Sequence, residues 1–171
     1  KKYGATKYYL IDDNFVPKSK AVELFAALSE VDIEGFEIVI QNMSINATDY
    51  KIIDAIVAAR INNIAFAIES GSTVTQDRIK KWVKLDKAQD LVGYSQRKGL
   101  NVRCFYIIGF PGETISEMDE TFRYAEKLGA DWSTFSVASP IPGTEMYNEF
   151  CALGYIEDGP SSWTATTIRD R

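Results

Sequence analysis

Apolar residues along the chain follow two rhythms: short apolar runs alternate with longer stretches whose apolar positions recur at helical spacing. Lys7-Tyr-Tyr-Leu-Ile11 predicts a buried strand, stopped by Asp12-Asp13-Asn14. Pro17 suits a first helical turn, and 18–30 carries Val22, Phe25, Ala26 and Leu28 at helical spacing. Phe36–Ile40 predicts the next strand, preceded by Gly35. Thr48 is a candidate cap for a helix through about Arg60, with Ile52, Ile53, Ile56 and Val57 on one face. Ile64–Ile68 predicts a third strand, and 73–83 and 86–98 two helical pieces ending at Gly99. Val102–Ile108 predicts a fourth strand. Thr114-Ile-Ser-Glu117 is a capping box opening a helix to about Leu128, closed by Gly129. Trp132–Val137 predicts a fifth strand, and 144–153 a last helix closed by Gly154.

The pattern is a strand–helix unit repeated five times, which argues for parallel strands with right-handed crossovers. No GxGxxG follows the first strand, so a dinucleotide-binding sheet is disfavoured. Five units are too few for a closed eight-stranded barrel, and a partial TIM-type barrel fits better. Residues 1–157 are expected to form this one domain, with 158–171 a tail or the start of a following segment.

Composition narrows the chemistry. The chain has 171 residues, 46% hydrophobic and 25% charged, with net charge −5 and a pI of about 4.9. No Lys/Arg-rich run supports nucleic-acid binding, and no apolar run approaches the roughly 18–20 residues of a membrane span. There are two cysteines and no histidine. A disulfide framework is not indicated, and a reducing cytoplasm is the expected setting. Histidine-based metal sites, triads and general bases are excluded within these residues.

In parallel α/β folds ligands bind at the carboxyl ends of the strands. The segments expected there are Asp12-Asp13-Asn14, Gln41-Asn42, Glu69-Ser70-Gly71-Ser72, Gly109-Phe110-Pro111-Gly112-Glu113 and Ser139-Pro140-Ile141-Pro142-Gly143-Thr144. Each alone reads equally as a turn or a helix cap. Together, on one rim, they suit a zwitterionic, nucleoside-like ligand. Glu69 and Ser70 offer hydrogen bonds to hydroxyls or an amino group. Gly71, Gly109 and Gly112 allow close backbone approach to a flat ring, and Ile108, Phe110 and Ile141 are apolar enough to sandwich it.

Four of these motifs, in this order, resemble the radical S-adenosylmethionine (SAM) superfamily: Asp12-Asp-Asn-Phe15, Ile68-Glu-Ser-Gly-Ser72, Ile107-Ile-Gly-Phe-Pro-Gly-Glu-Thr114 and Pro140-Ile-Pro-Gly-Thr144. The best likeness is to the branch that often carries a cobalamin-binding domain before the barrel. The resemblance runs from about residue 7 to about 157. It implies a (βα)6 partial barrel lacking its first βα unit, with strands two to six present. In the family the loop after strand one carries CxxxCxxC, whose thiolates hold a [4Fe–4S] cluster that binds SAM. An electron, from a flavodoxin- or ferredoxin-type donor, then drives cleavage to a 5′-deoxyadenosyl radical. By the same resemblance Glu69–Ser72 contacts the ribose and methionine groups of SAM. Gly109–Glu113 lies near adenine, with Pro140, Pro142 and Gly143 beside it. The resemblance also implies that Asp12, Asp13 and Asn14 face the substrate side or the cluster loop; Gln41 and Asn42 are further candidates for the substrate side.

The departure from the family lies in the cysteines. Cys104 falls in a strand and Cys151 on the last helix, and both read as buried small hydrophobes. These residues are therefore expected not to hold the cluster and to be inactive alone. Strand two becomes an edge, and pairing of two copies through it is expected. Two other readings stay open: a cluster-free module binding a SAM-like ligand, and an unrelated α/β enzyme using Glu69, Asp13 and Glu113 as acid–base groups.

Overall fold

The computed structural model describes residues 4–10, 18–30 and 37–157. The elements run β1 (Lys7–Leu10), α1 (Lys18–Ser29), β2 (Glu37–Ser44), α2 (Tyr50–Ala58), β3 (Asn63–Glu69), α3 (Thr73–Arg78), α4 (Leu85–Arg97), β4 (Asn101–Ile108), α5 (Ile115–Leu128), β5 (Trp132–Val137) and α6 (Glu145–Ala152). All four strand pairings are parallel, in the order β1-β2-β3-β4-β5, so β1 and β5 form the edges.

Sequential parallel order brings every crossover helix to the same face, whereas a doubly wound sheet reverses its order and covers both. Burial agrees. Ile38, Ile40, Ile64, Phe66, Ile68, Val102, Cys104 and Tyr106 are buried in one core with Phe25, Ile52, Ile53, Ile56, Leu91, Val92 and Ala125 from the helices. The opposite face leaves Tyr9, Asn101, Arg103 and Trp132 exposed. It bears a hollow of about 130 Å³ that includes Lys7, Gln41 and Arg103. This is the wall of a partial TIM-type barrel: helices outside, an open inner face, and strand ends gathered on one rim. No helix among the described residues is long and apolar enough to cross a membrane.

Several expectations need correction. In α1 Ala21 and Phe25 are buried while Val22 and Ala26 are exposed, so the apolar face is turned by about one residue. Helix α2 is capped by Asp49, whose carboxylate accepts the Ile52 N–H at 3.1 Å. The Thr48 hydroxyl is spent on Ser44 O at 2.8 Å, and the helix ends before Arg60, which is left-handed at φ 57°. Strand β2 runs on to Ser44. Ile40 and Met43 pair with Ile64 and Phe66, so β2 carries one extra residue at Gln41–Asn42. These two therefore lie in a bulge within the strand, not beyond its end. Helix α3 covers Thr73–Arg78 only, short of the expected 83. Cys104 is buried, but Cys151 is only partly so.

The capping box at α5 forms as expected, and Gly129 closes the helix at φ 64°. Glu117 does more than cap. Its Oε2 accepts the Thr114 N–H at 2.6 Å, and its Oε1 pairs with the Arg78 guanidinium at 3.1 Å. The Thr114 backbone N–H first, then Arg78, hold the Glu117 carboxyl below its ordinary value of 4.5. A carboxylate depressed by folding adds stability above its unfolded pKa and loses it as pH falls through the folded one. Glu117→Gln should therefore lower the thermal midpoint at neutral pH. The gap to the parent chain should narrow as pH drops below about 4.5. Denaturation scans across that range check both the effect and its direction.

Candidate functional site

The end of β3 carries the most unusual backbone on the rim. Ala67 and Glu69 pair with Phe105 and Tyr106, so β3 gains a residue over β4 there. Glu69 has φ 70°, and the Ser70 N–H donates to Ile68 O at 3.0 Å. A three-residue bond across a positive-φ centre is the strained form of γ-turn, rare for a residue with a side chain. Gln76, buried in α3, braces it. Its Nε2 donates to Ile68 O at 2.7 Å and to Ser70 O at 2.6 Å, on both sides of Glu69. Its Oε1 accepts the Val83 N–H at 3.0 Å. The Glu69 carboxylate meets Lys81 Nζ at 2.9 Å.

The next three residues lock onto α5. The Thr121 hydroxyl donates its one proton to Glu117 O. It therefore accepts from Gly71 N at 3.0 Å and from Ser70 Oγ at 2.9 Å. Ser70 Oγ in turn accepts the Ser72 N–H at 3.1 Å. Ser70 is thus committed to the framework. Ser72 Oγ is enclosed and has no hydrogen-bond partner among the described residues. Gly71 faces protein. A Cβ there would overlap Tyr124 Cβ and sit 2.9 Å from its Cγ and 3.0 Å from Thr121 Cα. Close helix packing gives this glycine a structural role.

The loops after β4 and β5 repeat one design. In Phe110-Pro111-Gly112-Glu113 the Glu113 N–H reaches Phe110 O at 2.9 Å, with Gly112 at φ 70°. In Ile141-Pro142-Gly143-Thr144 the Thr144 N–H reaches Ile141 O at 3.2 Å, with Gly143 at φ 86°. Proline then glycine at the two central positions is the signature of a type II turn. Thr114 and Thr144 cap the helices that follow. Glu113 seals the first loop. Its Oε2 accepts the N–H groups of Gly109 at 2.6 Å and Phe110 at 3.1 Å, and its Oε1 the Thr75 hydroxyl at 3.2 Å. A carboxylate so occupied is a structural tie rather than a free base. At Gly112 and Gly143 an added Cβ would meet nothing within 4 Å.

Residues 79–84 join α3 to α4 and tie these pieces together. Lys80 and Trp82 are left-handed, at φ 56° and 47°. Lys80 Nζ reaches both oxygens of Glu145 at 3.2 and 3.0 Å. Asn46, past β2, donates to Trp82 O at 2.9 Å and accepts the Lys84 N–H at 3.1 Å. Beside this connector a cleft of about 370 Å³ opens, lined by Ile79, Lys80, Phe110, Pro111, Thr144 and Met146 among others.

The expected rim is thus only partly assembled. The segments at 69–72, 109–113 and 139–144 do follow β3, β4 and β5. Gln41 lines the inner hollow, and Asp12, Asp13 and Asn14 lie outside the described residues. Sequence reasoning missed Asn46, Gln76 and Lys81. For Asn46 a signal existed: the alternation of Ile38 and Ile40 shifts phase to Met43 and Ile45, which marks the bulge and a later strand end. Neither cysteine offers a ready ligand. Burial pushes the Cys104 thiol up to about 12, and no cluster of three or more His, Cys, Asp or Glu side chains able to hold a metal gathers among the described residues.

Comparison with known proteins places this geometry. The family model of the radical SAM superfamily matches residues 2–125. A cytidylyl-2-hydroxyethylphosphonate methyltransferase from Streptomyces wedmorensis is 32% identical over 96% of this chain and 32% of its own length. An uncharacterised methyltransferase from Pyrococcus horikoshii is 30% identical over 85% of this chain and 31% of its own. The chain therefore spans about a third of the length of these relatives. The radical SAM methyltransferase TsrM from Kitasatospora setae, solved with cobalamin and a [4Fe–4S] cluster, superposes with a TM-score of 0.76. That match covers 93% of this chain and 33% of TsrM at 15% identity, a likeness of fold.

The contact between Gly71 and α5 is open to direct test. Gly71→Ala should destabilise the fold by about 2 kcal/mol, the cost of overpacking against a fixed backbone. Chemical denaturation measures it, and an unchanged midpoint would show that α5 can move aside.

Proposed function

The chain belongs to the radical SAM superfamily, and from that premise we propose that it forms the SAM-binding wall of a methyl-transferring radical SAM enzyme. The observation that carries this reading is Glu69. A carboxylate is fixed in a strained γ-turn at the rim, braced from both sides, and such strain concentrates at functional sites. The methyl-transfer class rests on the names of the relatives.

The residues fit SAM in part. Glu69 is the acceptor for ribose hydroxyls or the methionine ammonium, and the enclosed Ser72 Oγ is a second polar partner. Phe110, Pro111, Pro140, Ile141 and Pro142 offer apolar surface for adenine, while Gly109, Gly112 and Gly143 keep the backbone bare beside it. Glu113 acts behind the loop, since it consumes the N–H groups that a ring edge would otherwise meet. When bound, SAM supplies the 5′-deoxyadenosyl group. Glu69 and the two turns orient it and exclude water from its apolar side.

The residues do not fit an iron–sulfur cluster. Cys104 is buried with a thiol that stays protonated, and Cys151 lies apart on α6. Ligands for the cluster, the site for cobalamin and the docking surface for a flavodoxin- or ferredoxin-type donor are assigned to none of the described residues. The 171-residue chain by itself is accordingly inactive in SAM cleavage. Reconstitution with iron and sulfide should give no cluster absorbance, and a stable [4Fe–4S] spectrum would overturn that statement.

The SAM site itself is tested in the natural protein that carries this sequence. Glu69→Gln keeps the shape, removes the charge, and should weaken SAM binding about tenfold, as loss of a charge-assisted hydrogen bond does. Equilibrium dialysis reads the dissociation constant. Unchanged affinity in a folded variant sinks the assignment.

A further inference from the structure

We infer that Lys81 is a positioning residue for the rim carboxylate: it fixes the direction of Glu69 without touching the ligand. The inference rests on the SAM-site reading of Glu69 given above.

Three observations carry it. First, Lys81 Nζ lies 2.9 Å from Glu69 Oε1, and the Glu69 side chain is only 16% exposed. A partly enclosed carboxylate with one close cation has its orientation set by that cation. Second, Lys81 reaches it from an unusual backbone. The residues on either side, Lys80 and Trp82, are both left-handed, a conformation that residues with a Cβ avoid. Nothing in the local sequence asks for this, because Gln-Asp-Arg-Ile-Lys-Lys-Trp would extend α3 by propensity. The connector leaves helical geometry and is held there by Asn46 on its backbone and by Gln76 at Val83. Third, the same Gln76 amide grips the carbonyls of Ile68 and Ser70. Backbone and side chain of Glu69 are thus both referred to the 79–84 connector, the former through Gln76 and the latter through Lys81.

Stability alone does not explain the arrangement. The Lys81 side chain is 47% exposed, and an ion pair with one partner so open contributes little to folding. Two strained residues for one weak pair is an arrangement that makes sense if the pair serves geometry. With Lys81 removed, Glu69 keeps its γ-turn but loses its fixed direction, and part of its effect on the ligand is lost with it.

The test is a double-mutant cycle on the natural protein, purified anaerobically, with SAM as the probe and its dissociation constant as the readout. Glu69→Gln, Lys81→Met, the double variant and Lys81→Arg are compared with wild type. The expected pattern is a loss of about tenfold for Glu69→Gln, a smaller loss of about threefold or more for Lys81→Met, and a double variant no weaker than Glu69→Gln alone. Lys81→Arg, which restores the charge, should recover affinity to within about twofold of wild type. If Glu69→Gln weakens SAM but Lys81→Met does not, the positioning role is overturned while the SAM site stands. If the two losses multiply in the double variant, Lys81 meets the ligand itself and the role is likewise overturned. If Glu69→Gln has no effect, the SAM site falls and this inference with it. Circular dichroism of each variant separates these outcomes from unfolding.

Discussion

The rim depends on holding Glu69 in a conformation that its own Cβ opposes. A left-handed residue with a side chain costs about 1–2 kcal/mol, and it persists only where neighbours over-determine it. Gln76 is the main such neighbour. Its amide makes three hydrogen bonds, two to the carbonyls flanking Glu69 and one to Val83 N–H. All three lie in or near the core, where a lost partner costs about 1–3 kcal/mol. One neutral side chain therefore binds the end of β3 to α3 and to the connector that follows. Ser70, through Thr121, extends the same brace to α5.

The same requirement shortens α3. Propensity favours helix well past Arg78, yet the chain leaves helical geometry within two residues. Three successive cations explain where they go instead. Arg78 pairs with Glu117 on α5, Lys80 with Glu145 on α6, and Lys81 with Glu69 on β3. In a continuous helix Lys81, three residues after Arg78, would share its face and only Lys80 would point to the far side. The end of α3 thus reaches α5, while the irregular connector reaches α6 and β3. Single surface pairs add little to stability, but Lys80 and Lys81 also tie the connector to the start of α6 and the end of β3.

How much of this was legible in the sequence follows the range of the interactions. The strands other than the end of β2, the Thr114 capping box and Gly129 at the end of α5 are local, and they stand where local rules put them. So do the glycine- and proline-bearing segments after β3, β4 and β5, because βα alternation alone fixes which end of the sheet they occupy. The bulge at Gln41–Asn42 is readable in the phase shift of the apolar residues from Ile38 and Ile40 to Met43 and Ile45. Gly71 reads locally as an opening for a ligand ring, yet its neighbour is Tyr124, more than fifty residues on; no local pattern announces that contact. Gln76 and Lys81 look like ordinary helix positions. Their partners are set by the tertiary fold, and the sequence holds no sign of them.

The two Pro-Gly turns bear on the kind of ligand the rim can take. A phosphate site needs backbone N–H groups left free and pointing at an anion. Here the N–H groups of Gly109 and Phe110 converge on Glu113, so this loop already contains its own anion. The turn after β5 is closed the same way, with the Tyr147 N–H taken by Thr144 Oγ1 and the Thr144 N–H by Ile141 O. The rim carries the Glu69 carboxylate, glycine backbone and proline rings, and its cations Arg78, Lys80 and Lys81 are each paired with a carboxylate. Such a surface offers a polyphosphate no free cradle of N–H groups. It suits a ligand with hydroxyl and ammonium donors at one end and a flat apolar ring at the other. A carboxylate at Glu69 recognises donors only if its direction is fixed beforehand, since a mobile one loses on ordering much of what the hydrogen bonds return. On the reading of Glu69 proposed above, the strained turn, the Gln76 brace and the irregular connector answer that one requirement.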